Sequence, residues 1–414
     1  MLVDLFDPAA VEDPYPLYAR LRESAPVHQI PGTGFFLVST WDLVQEAVSR
    51  TEDFSSNMRS IMMATPSDPH PIAFPLDAGG TVEQVLATAD EPDHKLHRSL
   101  VMSTMNKRIR ALDEYAHQVA DRLWDDYAKD GRIDWVADMA ERLPLAMLSS
   151  LIGLPEDEFP YLLSLAYDAS EMLGGIVEPE RVERLVKAVS DLIEYLDKAF
   201  QRAQEDPQDD LMGVFANAVR AGEIESSTVT MILLQMVSAG AESTAALVET
   251  AARFLAEDPV LQDRVRQDPA LIDPFLDECL RLESPFRGHY RSVPRHTELG
   301  GVTIPAGSHM FLLWGSANRD SNRFEEPDVL NLDRPGIRQH LAFGKGAHFC
   351  VGSALARMEG LAAIGVLLRS TARFELDPER PPTWVPSTTM RRHRTLDLVF
   401  AEAGPSIAVS APEA

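Results

Sequence analysis

A mainly α-helical fold with small β-sheets is predicted by two features of the chain. From about residue 96 to 276, apolar residues recur at helical spacing, with breaks at Gly131, at Gly153-Leu154-Pro155, at Gly174-Gly175 and at Asp206-Pro207. On either side lie short apolar runs of strand type, separated by Gly and Pro turns.

The elements follow in order. Val27, Ile30, Phe35, Phe36, Leu37 and Val38 surround Pro31-Gly32-Thr33-Gly34 and predict a small hairpin over 27–40. Residues 54–89 contain Met58, Met62, Met63, four prolines and Gly79-Gly80 without clear periodicity. A stretch this long reads as a functional loop, an apolar and mobile lid over a binding cavity. A long apolar helix begins near Ser226, and Asp273-Pro274 reads as an N-cap and first-turn proline starting a helix with Glu278 and Arg281 on one face. Short strands are expected near 298–304, 309–313 and 395–400. No repeat or linker divides the chain, which predicts one domain over 1–414: a β-rich part at about 27–89, a helical part at about 90–290 and a C-terminal part at about 291–400.

Composition narrows the function. With 45% hydrophobic and 25% charged residues, the chain of 414 residues is globular and long enough for a sizeable core. A formal net charge of −26 argues against nucleic-acid or anionic-membrane binding through overall electrostatics. The first seven residues carry neither a basic segment nor a long apolar core, so no signal peptide or membrane anchor is expected. The two cysteines, Cys279 and Cys350, are far apart, which excludes a CxxC zinc site and fits a reducing cytoplasm.

Phe343-Gly344-Lys345-Gly346-Ala347-His348-Phe349-Cys350-Val351-Gly352 presents a single thiol in a glycine-rich turn before a helical run from Ser353. The glycines let the backbone fold back so that N–H groups point at sulfur, and with the helix N-terminus they favour the metal-ligating thiolate. The spacing Phe-Gly-x-Gly-x-His-x-Cys-x-Gly resembles the haem-binding loop of the cytochrome P450 monooxygenases. That resemblance implies a P450 fold binding haem b, iron protoporphyrin IX, with Cys350 as the axial iron ligand inside a loop of Phe343, Gly344, Gly346, His348 and Gly352. A thiolate in that place favours O–O cleavage.

Ala239-Gly240-Ala241-Glu242-Ser243-Thr244 interrupts the long helix with small and polar residues. Gly240 leaves room for a flat group to approach, and a hydroxyl at 243 or 244 can bond the preceding turn. The segment is similar to the oxygen-activation groove of P450s, in which an acid followed by an alcohol relays protons. Glu242 matches the acid, Ser243 stands where the family usually has threonine, and Thr244 follows directly.

Further assignments follow from the resemblance. Glu278, Arg281 and Arg334 match a structural triad, and His94, Arg98, Arg291 and His348 match contacts to the haem propionates. Met236, Val237, Ala241, Phe286, Arg287, Gly288, His289, Thr388, Thr389 and Met390 fall where the family lines its substrate pocket. Lys95, His97, Lys107, Arg108 and Arg110, with Lys345, form a basic run suited to an acidic ferredoxin. The implied activity is insertion of one oxygen atom of O2 into an apolar lipid, terpenoid, steroid or aromatic. Electrons would come from NAD(P)H through a ferredoxin reductase and ferredoxin. A peroxide-driven peroxygenase and a non-catalytic haem-thiolate sensor or binding protein are the alternatives; the Glu242-Ser243 pair counts against the first.

Overall fold

The computed structural model describes residues 5–65, 67–76 and 83–402. The chain starts with α1 (Pro8–Glu12), whose first turn is capped by the Asp7 carboxylate, and α2 (Tyr15–Ser24). β1 (Val27–Ile30) and β2 (Phe35–Val38) then form the predicted hairpin, in which Gly32 and Gly34 take φ of +77° and +73°. α3 (Trp41–Ser49) follows.

Where sequence periodicity suggested only a loop, β3 (Ser60–Thr65) and β4 (Asp68–Pro75) form an antiparallel hairpin. β3 is buried, and Met62 and Met63 belong to a core shared with Tyr18, Phe35 and Phe311. β4 is exposed along most of its length and carries Pro69, Pro71 and Pro75. Residues 66 and 77–82, including Gly79 and Gly80, lie outside the described residues.

The helical part comprises α4 (Asp93–Tyr127), the short β5 (Arg132–Asp134), α5 (Arg142–Ile152), α6 (Phe159–Glu171), α7 (Pro179–Glu205), α8 (Leu211–Arg220), α9 (Ser226–Glu257), α10 (Pro259–Gln267) and α11 (Ile272–Leu282). Each predicted break separates two of these helices. α11 starts one residue before Asp273, so the expected Asp273 cap is absent; Asp268 instead caps the short turn ahead of it.

The C-terminal part contains β6 (His289–Ser292), β7 (Thr297–Leu299), β8 (Val302–Ile304), β9 (His309–Leu312), α12 (Trp314–Ala317), α13 (Ser353–Ser370), β10 (Thr371–Leu376), β11 (Thr383–Trp384), β12 (His393–Thr395) and β13 (Asp397–Glu402). One sheet has the order β1-β2-β9-β6, in which β2 of the N-terminal hairpin pairs in parallel with β9, more than 250 residues later. A second has the order β10-β13-β5.

α9 is the axis of the molecule. Among the described residues it is the one helix long and apolar enough to cross a membrane, yet it packs against α5, α6, α7, α11 and α13. Its burial on several faces explains why its sequence is apolar nearly all round.

Beside this core, Glu278 holds Arg281 Nε at 2.5 Å and Arg334 Nε at 3.0 Å on one carboxylate oxygen. The other oxygen accepts from Arg281 Nη2 and the Asn331 amide. Burial raises the Glu278 carboxyl, but the Arg281 and Arg334 charges with the Asn331 amide outweigh it and hold the group below its usual range. The triad ties α11 to the segment leading into the cysteine loop.

Candidate active site

The cysteine loop is built from backbone bonds. The Gly344 amide donates to Leu341 O and the Cys350 amide to Phe343 O, closing the turn on itself, while Gly344 and Gly346 take φ of +66° and +73°. Burial pushes the Cys350 thiol up, and the Gly352 and Ser353 amides with the Arg98 and Arg357 charges act in the opposite direction. The sulfur thus sits at the start of α13 among donors, as a thiolate ligand requires.

Cys350 opens into a cavity of about 340 Å³ whose opposite wall is α9. Met236, Ala239, Gly240, Ser243, Thr244 and Leu247 supply that wall, a stripe at helical spacing. Val237, Ala241 and Val248 lie on a stripe turned by about 100° and are buried away from the cavity. The expectation that Val237 and Ala241 line the pocket is therefore corrected. The same rotation takes Glu242 off the cavity wall. Its Oε1 accepts from Arg392 Nε at 2.7 Å, a partner 150 residues distant in sequence.

Apart from His289, the first residue of β6, the remaining pocket candidates lie on irregular chain just before β6 and before β12, and they divide residue by residue. Phe286, Gly288 and His289 line the cavity, whereas Arg287 points the other way, donating from Nη2 to Val11 O at 2.5 Å beside Tyr18. Thr389 lines the cavity and donates to Leu173 O at 2.9 Å, while Thr388 turns to Gly174 O and Met390 bridges to Phe286 outside the lining. Sequence reasoning missed Leu86, Gln235, Leu173 and Glu359 on the wall. Burial raises the Glu359 carboxyl well above its usual range; its position two helical turns beyond Cys350 was the available signal.

His94, Arg98, Arg291 and His348 converge at one end of this otherwise apolar cavity. The His94 and His348 rings lie 4.0 Å apart, and His348 Nε2 bonds Ser56 Oγ at 2.9 Å. Arg98 Nη1 donates to Phe349 O at 2.7 Å, and Arg291 Nη1 contacts Tyr290 O and His289 Nδ1. Burial lowers the Arg291 guanidinium to about 10. None of these bonds neutralises either guanidinium, and His348 Nδ1 is buried without a partner. A buried Arg291 and a half-buried Arg98 beside a largely apolar slot that ends at a thiol suit a flat, apolar group carrying two carboxylates and an iron, so the residues fit haem.

The basic run on α4 is only partly a surface. Lys95, Lys107 and Arg110 are exposed. His97 is buried and accepts the Leu86 amide, because its helical position faces the core. Arg108 donates to Asp209 O, and Lys345 lies over the Trp41 ring at 4.4 Å.

Fold and site together suit a haem protein, and the comparisons agree. The family profile described as Cytochrome P450 matches residues 175–394. Cytochrome P450 144 of Mycobacterium tuberculosis is 43% identical over 394 residues, covering 95% of this chain and 90% of the relative. The 6-deoxyerythronolide B hydroxylase of Saccharopolyspora erythraea is 29% identical, covering 86% and 88%. Among solved structures, CYP150A6 of Mycobacterium marinum in substrate-free form superposes with a TM-score of 0.81 at 26% identity, covering 98% of this chain and 100% of that one.

The chain belongs to the cytochrome P450 family. It is a haem-binding monooxygenase, of the class that uses O2, redox partners and hydrophobic substrates.

Proposed function

We propose that this enzyme, acting in the cytoplasm as one P450 domain, inserts one oxygen atom of O2 into an apolar, uncharged small molecule such as a lipid, terpenoid, steroid or aromatic. NAD(P)H supplies electrons through a ferredoxin reductase and a ferredoxin. Each turnover consumes the substrate, O2, two electrons and two protons, and releases hydroxylated product and water. The observation that carries this reading is the opposition of Cys350 to Gly240, Ser243 and Thr244 across one largely apolar cavity.

Haem, when bound, supplies the iron centre that activates oxygen. Cys350, within the loop from Phe343 to Gly352, would supply the thiolate that binds the iron. His94, Arg98, Arg291 and His348 would hold its carboxylates, and Gly240 would leave room for it. Glu242 takes up protons and Ser243 or Thr244 passes them into the cavity. Glu278, Arg281 and Arg334 keep the cysteine loop in register with α11.

The substrate class is supported by what faces the cavity away from the cysteine loop. Met58, Leu86, Leu173, Met236 and Phe286 are apolar, and Arg287, the cation suited to a substrate carboxylate, is committed to Val11 O. Lys95, Lys107 and Arg110 give an exposed cationic face to an otherwise acidic molecule, which supports docking of an acidic ferredoxin.

Titrating lipids, terpenoids, steroids and aromatics into the holoenzyme tests the reading. A neutral apolar compound should shift the Soret band and be hydroxylated with NAD(P)H, reductase and ferredoxin. Turnover with hydrogen peroxide alone, at rates above the reconstituted system, would assign the protein to the peroxygenases.

A further inference from the structure

Glu242 does not stand alone with its arginine. Arg392 lies with its guanidinium 4.5 Å from the centre of the Tyr167 ring, and its Nη1 donates only a long bond, 3.3 Å, to His393 O. Nε reaches Glu242 Oε1 at 2.7 Å, while Nη1 lies 3.7 Å from Glu141 Oε1, within ion-pair range and beyond hydrogen-bond range. Glu141 immediately precedes α5 and its side chain is 21% exposed, against 9% for Glu242. One guanidinium thus spans an inner carboxyl and an outer one.

We propose that Glu141 is a positioning residue for proton delivery, a second anionic partner that competes with Glu242 for Arg392 and thereby sets how often the Glu242 carboxyl is free to turn toward Ser243. The inference rests on the reading of Glu242 as the proton-handling acid.

The surroundings favour such competition. Glu242 and Glu249 face Arg392 from α9, Tyr167 from α6 and Glu141 from the start of α5, while Asp134 of β5 acts on Glu141 and His393 of β12 meets Arg392 through its carbonyl. Arg142, next in sequence, is turned away, with Nε on Ala137 O and its guanidinium over the Tyr127 ring. Burial pushes His393 down to about 3, so it adds no positive charge at neutral pH. Several carboxyl groups therefore share one cation in a partly dry site, where full ionisation is unfavourable. Burial, with the negative charge of Glu249, Asp134 and Glu242, raises Glu141 to about 7 against the opposing pull of Arg392.

When Glu141 ionises, its proton goes to solvent and the 3.7 Å contact can close into a charged hydrogen bond. Turning Arg392 toward it lengthens the Nε bond to Glu242. The released Glu242 carboxylate takes a proton from water and carries it inward. Only O–H bonds are made and broken, and the guanidinium stays protonated throughout.

The first test needs no turnover. In protein labelled with ¹⁵N-arginine, the Arg392 Nε–H resonance, assigned by its loss in Arg392→Lys, should shift between about pH 6 and 8 as Glu141 titrates. Glu249 faces the same guanidinium, so the comparison is made in Glu249→Gln protein, which removes a carboxyl whose oxygen is bonded to the His393 amide. The shift should persist there and vanish in the Glu249→Gln, Glu141→Gln double variant, with the resonance held at its low-pH position. A shift that is already lost in Glu249→Gln, or that persists in the double variant, overturns the proposal.

The second test uses the holoenzyme with reductase and ferredoxin at about pH 8. Glu141→Gln should raise the share of electrons lost to peroxide on the order of twofold, with normal haem content and substrate affinity. Wild-type coupling in Glu141→Gln together with uncoupling in Glu242→Gln refutes the role of Glu141 and leaves Glu242 in place. Wild-type coupling in both variants removes the underlying reading of Glu242 as well.

Discussion

Ser243 Oγ donates to the Ala239 carbonyl at 2.7 Å, one turn back along α9. The serine proton is thereby committed to the helix, and the oxygen lone pairs face the cavity as acceptors. A relay that receives protons from Glu242 needs an acceptor oriented in this way. Ser243→Ala should therefore divert electrons to peroxide more than Thr244→Ala does, with haem content and substrate binding near normal in both. The ratio of product formed to NAD(P)H consumed reads the ranking. The opposite order would move the role to Thr244.

Backbone bonds around Gly175, beside the cavity residues Leu173 and Thr389, tie β3 and the chain at Thr388 to the turn between α6 and α7. Ala64 donates to Gly175 O at 2.8 Å, Val177 donates to Ala64 O at 3.2 Å, and Thr388 donates to Gly174 O at 2.8 Å. Gly175 has φ +76°, and a Cβ there would lie 2.6 Å from Met62 O. Gly175→Ala should destabilise this tie by about 1 to 3 kcal/mol and speed ligand entry. Gly32→Ala, with φ +77° and nothing within 4 Å, carries the same backbone strain without the clash. Stopped-flow binding rates that change equally in the two variants would show that the β3 contact plays no part in access.

Glu278→Gln should be among the most damaging single changes outside the cavity. It leaves Arg281, whose side chain is 0% exposed, without its anionic partner, and breaking a buried pair costs about 3 to 5 kcal/mol. The expected result is low haem content and a fall of that size in stability by denaturant titration. A loss under about 1 kcal/mol would mean that the backbone carbonyls of Asn318 and Val329 hold the arginine by themselves.

Glu249 gives a pH-dependent contribution of definite sign. Burial raises its carboxyl from 4.5 to about 7, so the folded protein binds a proton that the unfolded chain has lost between those values. Stability from this group is present below about pH 4.5, declines as pH rises to about 7, and is level above. Glu249→Gln keeps an acceptor for the His393 amide and removes the penalty of ionisation. The variant should be more stable than wild type at pH 8, by on the order of 3 kcal/mol, and little changed at pH 4.5. Equal melting temperatures of variant and parent at pH 8 would contradict this.

On the surface of α4, Lys107→Glu with Arg110→Glu should slow reduction by ferredoxin and leave substrate affinity intact. The difference should shrink as salt is added, since reversed charges on a steering surface act through screened attraction. Wild-type reduction rates at low ionic strength would place the docking face elsewhere.

What the sequence made legible was what depends on local spacing. The cysteine turn, the small-residue segment of α9 and the Glu278–Arg281 pair are each set within a few turns of backbone, and Gly, Pro and charge at fixed offsets report them. The predicted breaks of the helical region were readable for the same reason. Which face of α9 meets the cavity was not, because a helix apolar nearly all round leaves its rotation to tertiary packing. Val237 and Ala241 were misplaced by that one rotation, and Arg287, Thr388 and Met390 because they lie on irregular chain, where no period reports side-chain direction. The β3–β4 hairpin escaped notice because β3 is continuously buried and prolines obscure alternation in β4. Arg392 could not be linked to Glu242 from sequence, since nothing local signals a partner from another part of the chain.

Pro69, Pro71 and Pro75 occupy three of the four odd-numbered positions of β4. A proline offers no N–H, so strands that could add to the exposed side of this hairpin find few donors there. An exposed hairpin edge with a full row of donors would otherwise be a template for a strand of another chain, the contact from which aggregates grow. With this edge blunted, the protein should stay dispersed at high concentration.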